Sequence, residues 1–171
     1  MTPPEYFSQE KGEPMPDALT GRCTCGEVAY RLTDVPILTN TCHCSWCQRQ
    51  TGSAFAINGM IETDKIEITQ GAPVAVDLPS PSGAGQRVMR CPTCQVALWS
   101  QYLVSSPTLA YVRLGTLDDP GQIAPDVHIY TSTKQDWVEL DPKVPAYEGF
   151  YRPSEVLPPD RYKRFKAAIG R

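Results

Sequence analysis

The sequence predicts an all-β (mainly β) fold with one short helix at the C-terminal end. Short runs rich in β-branched and aromatic residues alternate with Gly, Pro, Asn and Asp, the pattern typical of strands joined by turns. These runs cover residues 28–32, 53–57, 66–69, 74–78, 87–89, 96–100, 109–114 and 128–131. Helix signals are confined to the last residues of the chain, so the pattern favours a sheet-based domain.

The composition divides the chain into three parts. Residues 1–17 contain four prolines and several charges without an apolar period, which predicts an N-terminal tail. The strand runs lie within residues 18–150, which we interpret as the main domain. Residues 151–171 are predicted to add a C-terminal strap and a short helix.

Three local patterns support this division. The sequence LPSPSGAGQ at residues 78–86 is rich in turn residues and predicts a hairpin loop. Prolines recur through residues 142–159 and indicate an extended strap. In the final segment, 159–171, Asp160 is expected to cap a short helix and Gly170 to end it.

Charge and hydropathy exclude several classes of partner. The 171 residues carry a formal net charge of -3, and Lys and Arg are scattered, so we expect no nucleic-acid binding. No apolar run approaches the roughly 18 residues that a spanning helix needs, and the N-terminus lacks the features of a signal peptide. We therefore expect a cytoplasmic protein that does not bind membranes, whose oligomeric state the sequence does not indicate.

Seven cysteines occur in three tight groups, CTC at residues 23–25, CHCSWC at 42–47 and CPTC at 91–94. An odd number of cysteines cannot all pair, and intracellular thiols are kept reduced, so disulfides are disfavoured. Gaps of one or two residues allow a tight turn to aim two sulfurs at one ion. The grouping therefore predicts zinc, with two ions per chain.

We divide the seven ligands into four and three. Cys23, Cys25, Cys91 and Cys94 are two short chelating pairs from distant segments, which predicts a closed structural zinc site. Cys42, Cys44 and Cys47 form a compact tripod that leaves the fourth zinc position for a guest. Three thiolates make a site suited to an exchangeable thiol, so we interpret the tripod as the catalytic zinc site.

Two alternatives for the tripod stay open at this point. His43 lies between two of the proposed ligands, and both zinc sites would be purely structural if it completed the second one. The tripod is also compatible with a redox role, in which one cysteine is a reactive thiol or oxidation pairs two of them.

The motifs GRCTCGEVAY, CHCSWCQRQTGSAF, RCPTCQVALW, VRLGTLDDP and HIYTSTKQDWVEL occur in this order. Together they resemble the glutathione-dependent formaldehyde-activating enzyme family, which includes centromere protein V. The resemblance covers residues 21–147. It implies an Mss-like zinc-binding β fold with a structural four-cysteine site and a catalytic three-cysteine site. It also implies a carbon-sulfur lyase whose reverse reaction joins glutathione and formaldehyde to give S-hydroxymethylglutathione.

Candidate substrate contacts cluster after the tripod. Arg49 is expected to pair with a glutathione carboxylate through its planar guanidinium. Backbone N–H groups of the adjacent turn are expected to assist. This turn comprises Gln48, Thr51, Gly52 and Ser53. His43 is the candidate proton donor for the developing alkoxide, Trp46 a candidate pocket wall, and His128 is interpreted as a strand residue.

The sequence departs from the family pattern at two places. Gln95 stands where relatives usually carry glycine, so we expect its backbone to avoid the left-handed conformation that glycine adopts freely. Trp46 and Gln48 replace polar and basic residues in and beside the tripod, which alters the rim of the predicted site. The identity of the thiol and the aldehyde is therefore open, and a non-catalytic zinc-stabilised binding module is the alternative function.

Overall fold

The computed structural model describes residues 19–103 and 106–170. The predicted tail, residues 1–17, lies outside the described residues, as do the start of the predicted main domain at residue 18 and the final residue of the chain. The described part contains ten strands in two sheets, which confirms the predicted all-β fold.

A seven-stranded sheet dominates the fold, with strand order β10-β3-β4-β9-β8-β7-β6. Neighbouring strands are antiparallel except β10, which pairs in parallel with β3. The strands are β3 (Leu38–Cys42), β4 (Ala56–Glu62), β6 (Val74–Leu78), β7 (Gln86–Arg90), β8 (Ala97–Tyr102), β9 (Leu109–Arg113) and β10 (Val127–Ile129). β6 and β7 pair across residues 79–85, which confirms the predicted hairpin.

A smaller antiparallel sheet has the order β1-β2-β5. Its strands are β1 (Thr20–Arg22), β2 (Ala29–Leu32) and β5 (Ile66–Gln70). One hydrophobic cluster packs this sheet against β8 and β9, with Tyr30, Leu98 and Val112 completely buried. Because inward residues of both sheets share this cluster, the two sheets pack directly against each other.

The described residues form three α-helices beside the sheets: α1 (Ser45–Thr51), α2 (Pro153–Val156) and α3 (Pro159–Ala168). α3 is the predicted C-terminal helix, but its N-cap is Pro158, and Asp160 lies inside the first turn. The capping role predicted for Asp160 is therefore wrong, because proline at the first helical position starts the helix two residues earlier than a cap at Asp160 would. Gly170 adopts φ 72° just after the helix, as a helix-ending glycine does.

The C-terminal segment is packed into the fold. Tyr151, Val156 and Leu157 are buried in a second hydrophobic cluster together with residues of β3, β4 and β10. α2 interrupts the strap that was predicted to be extended. Among the helices of residues 19–103 and 106–170, none combines the length and the hydrophobicity that a membrane span needs.

Candidate metal centre and active site

The first cysteine cluster joins an early and a middle segment of the main domain. Cys23 follows β1, and Cys91 follows β7. The Sγ atom of Cys25 lies 3.5 Å from that of Cys23 and 3.6 Å from that of Cys91. All four ligand atoms, including that of Cys94, lie within 4.8 Å of one another. These separations are well beyond the roughly 2.05 Å of a disulfide, and all four thiols are free.

Backbone groups stabilise negative charge at this cluster. The N–H of Val28 donates to the Sγ of Cys23 at 3.3 Å. Hydrogen bonds from the backbone of Val96 and Cys25 lower the pKa of Cys94 to about 6. A tetrahedral zinc with Zn–S bonds of about 2.3 Å separates its sulfurs by roughly 3.8 Å, close to the spacing found here. The four-cysteine cluster therefore fits zinc.

The turn after Cys94 departs from the sequence expectation. Gln95 has φ 60°, the left-handed conformation that it was expected to avoid. Its N–H donates to the carbonyl of Cys91 at 3.1 Å, and its side chain donates to the carbonyl of Pro92 at 2.7 Å. The tight turn requires a positive φ to aim both sulfurs inward, and these hydrogen bonds offset only part of the cost for a non-glycine residue.

The second cluster is the predicted tripod. Cys42 ends β3, Cys44 caps α1 and Cys47 lies in that helix, so the strand-to-helix turn gathers three sulfurs within 4.8 Å. The N–H of Cys47 donates to the Sγ of Cys44 at 3.4 Å. Hydrogen bonds from the Cys42 and Cys47 thiols lower the pKa of Cys44. If all three thiols were ionised, their charges would repel one another at this spacing unless a cation lay between them. The cluster is therefore compatible with zinc.

A cavity of about 600 Å³ opens onto the tripod. A more open groove of about 570 Å³ borders the first cluster, but only Cys23 and Cys25 of its four cysteines line that groove. All three tripod cysteines line it. Five aromatic side chains contribute to its walls: Trp46, Tyr102, Tyr111, Tyr130 and Phe150. Ser80, Pro81 and Ser82 of the β6–β7 loop form part of the rim, and no Lys, Arg, Asp or Glu of the described residues lines the cavity.

His43 lies behind the tripod. It is completely buried, its Nε2 is 3.1 Å from the Nδ1 of His128, and its ring meets that of Phe55 edge-on. Burial lowers the pKa of His43 to about 4, so the ring is neutral near pH 7. Its nitrogens are not part of the tripod cluster, and it is absent from the cavity lining. The structure thus keeps His43 away from both the ligand set and the cavity.

The other candidate residues sit on a different face of α1. Gln48, Arg49, Gly52 and Ser53 line an open groove of about 570 Å³ together with Gln135 and Trp137. Ser45 borders both this groove and the cavity, so the two spaces adjoin. The Gln48 amide donates to the carbonyls of His43 and Thr133. Thr51 donates to the carbonyl of Cys47 at 2.8 Å and lines neither space among the described residues.

Comparison with known proteins assigns the family. The family described as glutathione-dependent formaldehyde-activating enzyme matches residues 18–133, which span both cysteine clusters. The chain belongs to this formaldehyde-activating family. No curated protein matches it. A crystal structure of a Rhodobacter sphaeroides protein, solved as a structural genomics target, is similar at 21% identity and a TM-score of 0.46. The alignment covers 63% of this chain and 92% of that protein.

This member of the formaldehyde-activating family has cavity residues that its cysteine motifs do not predict. Asn40, Asn58, Gln86 and Tyr111 line the cavity from strands β3, β4, β7 and β9. The one available signal was Asn40, which precedes Cys42 by two residues and therefore lies on the same face of β3. The others are distant in sequence and become neighbours only through strand pairing.

Proposed function

We propose that this protein is a zinc-dependent enzyme of the carbon-sulfur lyase type, similar to S-(hydroxymethyl)glutathione synthase. It would promote the addition of glutathione, or a similar thiol, to formaldehyde or another small aldehyde. The observation that carries this proposal is the cavity of about 600 Å³ bounded by the three cysteines of the tripod. Membership of the formaldehyde-activating family supports the same substrate pair.

The two clusters would have different roles. The four thiols of Cys23, Cys25, Cys91 and Cys94 complete a tetrahedral ligand set by themselves, which suits a structural ion. The tripod has only three ligand atoms among the described residues. Zinc bound to Cys42, Cys44 and Cys47 would supply a cation that keeps a substrate thiol deprotonated near neutral pH.

The cavity walls would position the two reactants. A volume of about 600 Å³ lies within the 300–1,000 Å³ typical of small-molecule sites and is far larger than formaldehyde requires. The space therefore suits a peptide thiol together with an aldehyde. Aromatic walls and the lack of Lys, Arg, Asp and Glu in the lining would lower the local dielectric and so strengthen electrostatic interactions at the reacting atoms.

The adjoining groove would bind the charged ends of glutathione. Arg49 is exposed and forms no ion pair with any carboxylate in residues 19–103 and 106–170. Its planar guanidinium is suited to a carboxylate of the thiol. Gln48, Gly52 and Ser53 line the same groove, and Thr51 supports the helix from which Arg49 projects. His43 would support the tripod from behind, and its predicted role as proton donor stays a prediction.

A redox or metal-handling role is the second candidate. Three thiols within 4.8 Å, with Cys44 only half-buried, would lose zinc on oxidation and regain it on reduction. Mild peroxide should then release one zinc per chain without loss of the fold, and reductant should restore it. Both roles require reduced thiols, which favours the cytoplasm.

One experiment tests the proposed function. Zinc stoichiometry is measured by elemental analysis for the wild type and for Cys44→Ser, and glutathione binding to each is followed by calorimetry. We expect two zincs and glutathione binding in the wild type. The variant should stay folded with one zinc and lose glutathione binding. A wild type that holds two zincs and binds no glutathione would overturn the enzyme proposal.

A further inference from the structure

Arg113 in β9 is a buried cation whose hydrogen-bond acceptors are neutral amides. Arg113 is only 7% exposed. Its guanidinium donates to the Oδ1 of Asn58 and, at 3.1 Å, to the Oε1 of Gln50. No carboxylate of residues 19–103 or 106–170 lies within ion-pair distance of its guanidinium. A buried charge is costly unless it is hydrogen-bonded. Two neutral amides accept hydrogen bonds from Arg113, and their orientation follows from its chemistry.

A guanidinium has only donors, so each amide that contacts Arg113 must turn its oxygen toward it. For Asn58, this leaves the Nδ2 group, which donates to the Oδ1 of Asn40 at 3.3 Å. Asn40 in turn has its oxygen engaged, and its remaining polar group is an NH₂ donor. Gln50 contacts Arg113 directly through its Oε1, so its remaining polar group is also an NH₂ donor. Arg113 thus determines the hydrogen-bonding character of two side chains at a distance.

Asn40 and Gln50 both line the cavity beside the tripod. Asn40 shares a face of β3 with Cys42, two residues later, and Gln50 lies one helical turn after Cys47 on α1. Within the described part of the chain, neither NH₂ group donates a hydrogen bond to an acceptor. Two oriented donors therefore flank the three thiols in a space that has no charged side chain in its lining.

We propose that Arg113 is a positioning residue that orients Asn40 and Gln50 as a pair of donors for the aldehyde oxygen. This inference rests on the proposed function. When the thiolate sulfur attacks the carbonyl carbon, a C–S bond forms and the electron pair of the C=O π bond moves to oxygen. The resulting alkoxide then takes up one proton from solvent, which balances the proton that the thiol released. Preorganised donors stabilise that oxygen where negative charge develops.

Gln50→Glu is the most direct test. The carboxylate accepts from Arg113 as the amide did and adds an ion pair, but it presents an oxygen to the cavity instead of an NH₂ group. We expect zinc content, thermal stability and glutathione affinity to be kept, while kcat for adduct formation falls by about 100-fold, the effect of removing one such donor. Gln122→Glu adds the same charge at an exposed turn and should leave kcat unchanged.

Two further variants keep the proposal falsifiable if Gln50→Glu fails to fold. Gln50→Met removes the donor without adding charge at a half-buried helix position, and Arg113→Lys keeps the charge but cannot hold both amides. Each should lower kcat by at least about 10-fold with little change in the Kd for glutathione. Wild-type kcat in these variants would overturn the proposal, as would a loss confined to glutathione affinity. A wild type that binds no glutathione would instead refute the proposed function itself.

Discussion

The guanidinium of Arg164 in α3 donates two hydrogen bonds of 2.6 Å, one to each carboxylate oxygen of Glu62 at the end of β4. Arg164 also donates to the carbonyl of Val35 at 2.8 Å. These contacts connect the C-terminal helix to the strand that leads from α1 into the large sheet. The helix is therefore anchored to the fold by a specific, largely buried ion pair as well as by apolar packing.

Removing this ion pair should destabilise the protein. The Arg164 and Glu62 side chains are only 22% and 15% exposed, so Glu62→Gln leaves a partly buried cation with only its longer ion pair, to Asp34 at 3.4 Å. We expect the free energy of unfolding to fall by about 2 kcal/mol, measured by chemical denaturation. The control is Glu155→Gln, whose pair with Arg152 is 81% and 56% exposed and should contribute less than about 0.5 kcal/mol. Equal effects of the two substitutions would contradict the interpretation.

The same pair predicts a pH dependence. Burial alone would raise the pKa of Glu62, but the hydrogen bonds and charge of Arg164 hold it below the usual value of a glutamate. A lowered folded-state pKa contributes stability above the unfolded pKa of about 4.3, and this stability is lost as the pH falls through the folded pKa. The stability difference between wild type and Glu62→Gln should thus be full at pH 7 and shrink below about pH 4. Taking this difference cancels the acid sensitivity of the cysteine clusters, and a difference that does not change with pH would refute the prediction.

The two cysteine clusters should differ in their effect on stability. Cys91→Ser removes a completely buried ligand of a cluster whose Cys25 and Cys91 are 66 residues apart. Opening a loop of this length costs on the order of 4 kcal/mol, so we expect a large fall in melting temperature together with the loss of one zinc. Cys44→Ser should also lose one zinc, with a smaller fall in melting temperature. Similar melting temperatures for the two variants would contradict a structural role for the four-cysteine cluster.

The strained turn at Gln95 offers a stabilising substitution. A non-glycine residue at φ 60° carries a cost of roughly 1 kcal/mol, which glycine avoids. Gln95→Gly loses only an exposed hydrogen bond to the carbonyl of Pro92, so we expect a net gain of about 0.5 kcal/mol and a higher melting temperature. Gln70→Gly also removes an exposed side-chain hydrogen bond, to Gly26, but lies in β5 without a positive φ and should be destabilising. A fall in stability for Gln95→Gly would show that its side-chain hydrogen bond outweighs the strain.

Arg49→Gln tests the binding groove separately from the reacting site. Loss of a charge-assisted hydrogen bond to a carboxylate should raise KM for glutathione by about 10-fold and leave kcat nearly unchanged, because the contact is the same in ground and transition states. 2-Mercaptoethanol has no carboxylate and should react equally well with both proteins. A similar loss with both thiols would place the effect of Arg49 elsewhere.

Part of the strand pattern could be read from the sequence, and particular elements show why the rest could not. Alternation and turn residues predicted β6 and the β6–β7 hairpin closely. β3 was missed because all five of its residues are buried, including Thr39, Asn40 and Thr41, so it shows no polar–apolar alternation. Its polar side chains are tolerated because distant partners satisfy them, such as Asp126, which accepts from the N–H and hydroxyl of Thr39.

α1 was missed for a different reason. Its seven residues are too few for a helical period to appear, and Cys44 and Gly52, which form its ends, read as parts of a metal motif and a turn. The strand predicted at 53–57 begins three residues later in the structure, at Ala56, because residues 53–55 form the bend that leads from the left-handed glycine cap of α1 into β4.

The sequence by itself determined the grouping of the seven cysteines and the strand-rich fold, because short chelating gaps and local alternation are properties of neighbouring residues. Only the tertiary structure decided that the tripod faces an uncharged aromatic cavity, that His43 lies behind it and that Arg113 orients Asn40 and Gln50. Those features depend on contacts between residues up to 85 positions apart, such as His43 and His128. Hydrogen-bond orientation and burial arise when strand pairing brings such residues together, and no local pattern encodes them.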